Sequence, residues 1–107
     1  MPTAPQSEIL DLVTMVEYQT GSVVSRQITK SEGGNVTLFA FDVGQELSTH
    51  TAPYNALVEL LDGEAEITIS GKPFVLHTGE AIVMPANAPH ALLARKKFKM
   101  LLTMIKT

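Results

Sequence analysis

The fold is decided by residues 44–63, GQELSTHTAPYNALVELLDG, together with residues 79–94, GEAIVMPANAPHALLA. In both stretches short apolar runs alternate with glycine and proline, and each stretch holds one histidine, His50 in the first and His90 in the second. Apolar runs bounded by such turn residues are typical of paired β-strands. We interpret the two stretches as β-hairpins that each carry one histidine to the mouth of a small barrel.

The rest of the chain continues this alternation of strand and turn. The apolar patterns predict strands at residues 23–29, 36–43, 56–61, 64–70, 74–77, 81–84, 90–94 and 98–105. Asp62-Gly63 is the strongest short hairpin motif, so the chain is expected to reverse there. Residues 9–18 are mixed in character and fit either a short helix or an edge strand. Regularly spaced short strands with glycine-rich turns indicate an all-β barrel or sandwich.

Composition limits the classes of protein that this chain can represent. Its 107 residues and 45% hydrophobic content predict a single domain with a packed core, preceded by a mobile polar segment of about residues 1–8. A net charge of −3 disfavours nucleic acid as a partner, and the absence of cysteine excludes disulfides and thiolate metal sites. The sequence has neither a secretory-signal pattern nor a membrane-length apolar run, so a cytoplasmic location is expected.

The first stretch resembles the first motif of the small single-domain cupins, G-x(5)-H-x-H-x(3,4)-E-x(6)-G. Gly44, His50 and Gly63 match this motif in register. Ala52 takes the place of the motif's second histidine, and Ala56 takes the place of its glutamate. The resemblance therefore keeps the glycines of the motif and loses two of its polar residues.

The second stretch resembles the second cupin motif, G-x(5)-P-x-G-x(2)-H-x(3)-N. Gly79, Pro85 and His90 match, whereas Asn87 replaces the motif's glycine and Ala94 replaces its asparagine. The two motifs are separated by residues 64–78, the short spacing that is typical of compact bacterial cupins. The resemblance covers about half of the chain, and it implies an all-β cupin jelly-roll β-barrel with inward-facing motif histidines.

The resemblance also implies a metal site, because many cupins bind a divalent transition metal through three histidines and a glutamate. Only His50 and His90 carry over here, and a catalytic metal site usually has about three protein ligands. Glu46 is a conceivable third ligand, because it lies four positions before His50 and therefore shares its strand parity. Glu59 has the opposite parity and is expected to point out of the barrel. The alternative is that the two histidines line a pocket and hydrogen-bond a small ligand or water.

Alanines at two motif positions remove charge from the barrel mouth and open space there. Ala52 and Ala56 are therefore predicted to line a pocket. Adaptable apolar side chains that could complete its lining are Met84, Met100, Leu102 and Met104. The alternative for these four is an ordinary core role, because residues 98, 100, 102 and 104 share one face of the last strand.

Two functions from different classes fit these residues. The first is a barrel that binds a small molecule near His50 and His90, with or without a weakly held divalent metal of unknown identity. The second is a metal-dependent cupin enzyme of the dioxygenase, isomerase or decarboxylase type, which the two alanines disfavour.

His77 lies outside both motifs and is predicted to be a surface residue. The apolar residues 23–24 and 56–61 predict a homodimer, and neither nucleic acid nor a membrane is expected as a partner.

Overall fold

The computed structural model describes residues 3–106, which form an all-β fold. The strands in this part of the chain are β1 Val23–Ser31, β2 Gly34–Phe41, β3 Glu46–His50, β4 Tyr54–Ile69, β5 Lys72–His77, β6 Ala81–Met84, β7 His90–Leu93 and β8 Phe98–Lys106. All pairings are antiparallel, in the orders β1-β2-β8-β4-β6 and β5-β4-β7-β3, so that β4 belongs to both sheets. Within residues 3–106 there is no helix long and apolar enough to cross a membrane.

The predicted reversal at Asp62-Gly63 is wrong, because β4 runs straight through these residues. The first part of β4 pairs with β6 and β8, and the part after Gly63 pairs with β5 and β7. The register against β8 shifts between Leu60 and Asp62, which marks a β-bulge. The histidine-bearing strands also do not form the two separate hairpins predicted, since β3 pairs with β7 and β6 pairs with β4.

The bulge keeps the apolar side of β4 facing the core along its whole length. Ala56, Val58 and Leu60 are buried before the bulge, and Ala65 and Ile67 are buried after it. The buried positions therefore change from even to odd numbers where the extra residue is inserted, as expected for a side-chain period of two.

Gly63 is required at this crossing by its backbone geometry. Its φ is +82°, and a Cβ built on it would lie 2.0 Å from the carbonyl oxygen of Lys97. No side chain fits between the two backbones, so the hairpin-like Asp-Gly pair serves a bulge rather than a turn.

The main core fills the space between the two sheets. The rings of Phe41 and Phe98 stack at its centre with centroids 4.5 Å apart. The buried residues of this core are Phe41, Ala56, Val58, Leu60, Ala65, Ile67, Leu76, Met84, Leu92, Ala94, Phe98 and Met100. Leu102 and Met104 pack against it from β8, which confirms that one face of the last strand is apolar.

Residues 9–18 form neither the predicted helix nor an edge strand: they contain a turn at residues 12–14 and a bend at 15–16, and they pack against the sheet that contains β1, β2 and β8. Val16 is buried there against Leu38 and Ala40. The Tyr18 hydroxyl donates a hydrogen bond to Asp62 Oδ2 (2.7 Å), and the Lys99 ammonium donates to the Val13 carbonyl (2.6 Å). The segment is held by its packing against the sheet and by these two hydrogen bonds, and it does not pair with a strand.

The polar segment predicted over residues 1–8 lies partly outside the described residues, which begin at Thr3. Ala4 is buried, and its amide donates to the carbonyl of Ile28 in β1 at 3.2 Å. The mobility of this segment remains a prediction.

Asp42 joins the end of β2 to the loop before β1. Its carboxylate accepts a hydrogen bond from the backbone amide of Gly21 (2.7 Å). This bond, together with one from the amide of Val43, lowers the pKa of Asp42 below its ordinary value of 3.8. The exposed carboxylate thus helps to close the loop when it is ionised.

Candidate functional site

A cavity of about 270 Å³ opens between the two sheets beside the paired histidines. It is lined by Leu47, His50, Ala52, Tyr54, Ala56, Met84, His90, Leu92, Met100, Leu102 and Met104. The two histidines, the two alanines and the four apolar residues that the sequence predicted for the site lie in this lining, whereas Glu46 does not. The lining is apolar apart from two imidazoles and one phenol, and within residues 3–106 no Asp, Glu, Lys or Arg contributes to it.

The two histidines meet because β3 and β7 pair with each other. His50 is the last residue of β3 and lies directly opposite His90, the first residue of β7. Their rings lie edge to face with centroids 4.2 Å apart. His90 is buried, with 8% of its surface exposed, whereas His50 is exposed. The side-by-side placement expected from the motif register is therefore present.

Both imidazoles are oriented by backbone carbonyls. His50 Nδ1 lies 2.8 Å from the carbonyl oxygen of Ser48, and His90 Nδ1 lies 3.1 Å from that of Ala88. A carbonyl oxygen only accepts, so in each neutral ring the proton resides on Nδ1 and Nε2 keeps its lone pair. The site thus presents two nitrogen acceptors whose ring orientation is fixed by the main chain.

The two alanines line the same cavity as these imidazoles. Ala56 is buried and lies between Met84 and Met104 on the neighbouring strands. The carbonyl of Ala52 accepts a hydrogen bond from the amide of Asn87 (2.8 Å), which joins the loop before β4 to the loop before β7. Methyl groups at both alanines leave room where longer side chains would fill the mouth.

Asn87 explains one departure from the second cupin motif. Its φ is +64°, which lies in the left-handed region. Asparagine tolerates this conformation better than most residues, so it can replace the motif's glycine without changing the turn. This substitution preserves the loop that brings His90 to the mouth.

Neither candidate carboxylate reaches the cavity. Glu46 lies opposite Leu93, and a register shift between Leu47 and His50 breaks the strand parity on which its recruitment depends. Leu47 lines the cavity instead. Glu59 lies opposite Ala81 and does not line the cavity, as its parity predicts.

The donor set does not fit a tightly held metal ion. Among residues 3–106 no group of three or more His, Asp or Glu side chains is arranged to hold one. His50 and His90 supply two ligands, whereas metal sites in proteins generally use at least three. Strong metal binding would therefore need further ligands from outside the described residues.

His77 is a surface residue, as predicted. It is exposed at the end of β5, where Nε2 lies 3.0 Å from Glu64 Oε1 and Nδ1 lies 3.2 Å from Glu80 Oε1. The backbone amide of His77 also donates to Glu80 and lowers the pKa of that carboxyl. These contacts belong to the outer surface and not to the cavity.

Three further lining residues were missed from the sequence. Tyr54 shares the parity of Ala52 and Ala56, and Leu92 shares that of His90, so strand alternation could have identified both. Leu47 could not have been found in this way, because the register shift in β3 changes which residues face inwards.

Comparisons with known proteins bear on these features. Residues 37–106 match a family model described as a cupin domain. A solved structure of a conserved protein of unknown function from Streptococcus pyogenes is 36% identical and has a TM-score of 0.91, over 100% of this chain and 96% of that chain. A cupin superfamily protein from Desulfitobacterium hafniense is 27% identical with a TM-score of 0.91, over 99% and 97% of the two chains.

A further similar structure comes from a longer chain. A Cupin 2 conserved barrel domain protein from Leptotrichia buccalis is 43% identical with a TM-score of 0.89, and the match covers 91% of this chain and 47% of that chain. The present chain therefore spans about half the length of that relative. Comparison with curated proteins gives no match.

Proposed function

This chain belongs to the cupin domain family, and we propose that it binds a small organic molecule in the mouth of its barrel, beside His50 and His90. The observation that carries this proposal is the cavity of about 270 Å³, which is apolar on most sides and has two imidazoles in its wall. Small-molecule sites combine an apolar lining with a few fixed polar groups in this way.

The size of the cavity indicates a small ligand. Its volume lies just below the roughly 300–1,000 Å³ of typical ligand pockets, and it exceeds the about 150 Å³ that suffices for benzene in an engineered cavity. A single substituted ring is therefore the size of molecule that we expect. The methionines at positions 84, 100 and 104 can adjust to its shape, because their side chains are unbranched and flexible.

A fragment screen observed by ¹H–¹⁵N NMR tests the proposal. Binding fragments should shift the amide resonances of β3, β4 and β7 around the cavity. The variant Ala56→Leu occupies part of the cavity and should weaken these shifts, whereas the surface variant His77→Ala should keep them in full. If no fragment shifts these resonances, or if Ala56→Leu binds as the parent does, the proposal fails.

The second candidate function is a metal-dependent cupin enzyme. One observation favours it, because an Nδ1–H bonded to a carbonyl, with a free Nε2, is the arrangement usual for metal-ligating histidines. The two-ligand donor set argues against it. Elemental analysis of protein purified without tag or chelator decides between the two candidates, since close to one transition metal per chain would favour the enzyme.

A double substitution tests the same point from the opposite direction. The double variant Ala52→His, Ala56→Glu restores the three histidines and one glutamate that the cupin motif implies. It should bind transition metals much more tightly than the parent. Isothermal titration of the parent and the variant with Zn²⁺ measures the change. An unchanged affinity would mean that side chains at positions 52 and 56 do not reach the same metal ion as His50 and His90.

We also propose that the chain forms a homodimer. Val83 and Ile105 are 57% and 58% exposed on strands that flank β4, and their cross-strand neighbours Leu57 and Asn55 share one outer face. A two-fold contact through this face would bury the apolar side chains. Sedimentation at micromolar concentration should give the mass of two chains, and a single-chain mass would contradict the proposal.

A further inference from the structure

The strongest polar feature of the cavity is its pair of hydrogen-bond acceptors. Within residues 3–106, Nε2 of His50 and Nε2 of His90 have no hydrogen-bond partner, because each ring bonds the main chain through Nδ1. Among the residues of this part of the chain that are not exposed, no fully buried side-chain nitrogen lacks a partner, so Nε2 of His90 must be open to solvent or ligand, and His50 is an exposed residue. A ligand that enters the cavity must therefore supply donors to these atoms or leave them without a partner.

The charge of the lining excludes most ions. No Lys or Arg among residues 3–106 lines the cavity, so a carboxylate or phosphate would lose its water without gaining an ionic partner. No Asp or Glu lines it either, so an ammonium group is not balanced. Because removing an unpaired charge from water is very costly, the cavity selects neutral molecules.

The two histidines contribute unequally to this selection. His90 is buried, and a ligand in the cavity shields its Nε2 from water, so the loss of a donor there is costly. His50 is exposed, and water can replace a missing ligand donor. The hydroxyl of Tyr54 can either donate or accept and does not change the preference.

From these observations we propose that the ligand is an uncharged, hydroxyl-bearing molecule of about one ring in size, such as a phenol or a cyclic alcohol. Its hydroxyl group donates a hydrogen bond to Nε2 of His90. This inference rests on the proposed function, and it adds the chemical class of the ligand. The apolar body of the molecule packs against the methionine and leucine side chains, and its hydroxyl lies at the histidine wall.

A matched series of four probes tests the class: p-cresol, 4-methylanisole, p-xylene and 4-methylbenzoate. They share a para-substituted ring and differ in whether they present a donor, an acceptor, an apolar group or a charge. Titration calorimetry and ¹H–¹⁵N NMR should show p-cresol binding about tenfold more tightly than the ether or p-xylene, the effect of one well-formed hydrogen bond. The carboxylate should bind at least about a hundredfold more weakly than p-cresol.

His90→Phe provides the matched variant, because it keeps an aromatic ring and removes the acceptor. In this variant p-cresol and p-xylene should bind with equal affinity, whereas His50→Phe should retain most of the preference. If His90→Phe does not fold, ¹⁵N NMR of the imidazoles in the parent protein provides the test. The Nε2 resonance of His90 should be that of an unprotonated nitrogen and should shift when p-cresol is added.

The outcomes separate this inference from the proposed function. If p-xylene or the ether binds as tightly as p-cresol, the ligand class is wrong and the binding function stands. If 4-methylbenzoate binds most tightly, the histidines act as cations and the class is again wrong. If none of the four probes binds, or if Ala56→Leu binds p-cresol as tightly as the parent does, the proposed site itself is wrong.

Discussion

If the space beside Ala56 is open, a larger apolar side chain at this position should raise the free energy of unfolding. Replacing Ala56→Leu adds three carbon atoms inside the cavity, next to Met84 and Met104. Burial contributes about 0.8 kcal/mol for each carbon, or about 2.4 kcal/mol for three. Ordering a leucine side chain costs about 0.5–1 kcal/mol. The free energy of unfolding should therefore rise by about 1.5 kcal/mol.

Ala65 provides the matched control for this change. It lies on the same strand, is fully buried in the main core and does not line the cavity. Because both positions are in β4, the change in strand propensity is the same for both. Ala65→Leu forces three carbons into a close-packed region and should lower the free energy of unfolding by about 1–3 kcal/mol.

Urea denaturation followed by circular dichroism measures both variants. With a slope of about 1–3 kcal/mol per molar urea, Ala56→Leu should raise the midpoint by about 0.5–1.5 M, and Ala65→Leu should lower it. Opposite signs are the result that the structure requires. If both variants lose stability by the same amount, the space beside Ala56 is not open and the reasoning about the cavity is refuted.

Three further predictions concern the frame of the barrel. Gly63→Ala should lower the free energy of unfolding by more than about 3 kcal/mol, because the alanine suffers left-handed strain of about 1–2 kcal/mol and also collides with the backbone of Lys97. Gly44 has a φ of +85° but open space around it, so Gly44→Ala should cost only the strain. Equal losses of stability in urea denaturation would contradict this. Tyr18→Phe removes the bond to Asp62 and should cost about 1–2 kcal/mol in the same assay, so an unchanged midpoint would deny that bond a role. Because the pKa of Asp42 is lowered in the folded protein, its carboxylate stabilises the fold above the ordinary pKa of 3.8, and this contribution is lost as the pH falls through the lower folded pKa. Asp42→Asn should therefore be less stable than the parent at neutral pH and equally stable in acid. A difference in stability that does not change with pH would contradict this.

The sequence predicted the all-β fold and most strands because alternation and turn residues are local properties. It did not predict the course of β4, since Asp-Gly occurs both in tight hairpins and in bulges. The choice depends on partners distant in the chain, here the backbone of Lys97 against Gly63. Residues 9–18 were ambiguous for a similar reason, because their conformation is stabilised by the outer face of a sheet that forms later in the sequence.

The positions of the residues that line the cavity were predicted more completely than the topology. The motif register placed His50, His90 and the two alanines, and these residues do line one cavity. Glu46 was considered as a third ligand because regular alternation was assumed along β3. The register shift between Leu47 and His50 removes that regularity, and local sequence does not reveal it.

The two histidines of the cavity stand on strands of unequal local stability. β3 is an edge strand of five exposed residues that, among residues 3–106, pairs only with β7, whereas β7 lies between β3 and β4. Because local opening is easiest where burial and hydrogen bonding are least, β3 opens more often than β7. For the proposed ligand, we therefore expect the strand that carries His50 to control entry and exit, and the wall that carries His90 to control affinity. Substitutions in β3 should then change the residence time of that ligand, and substitutions around His90 should change its affinity.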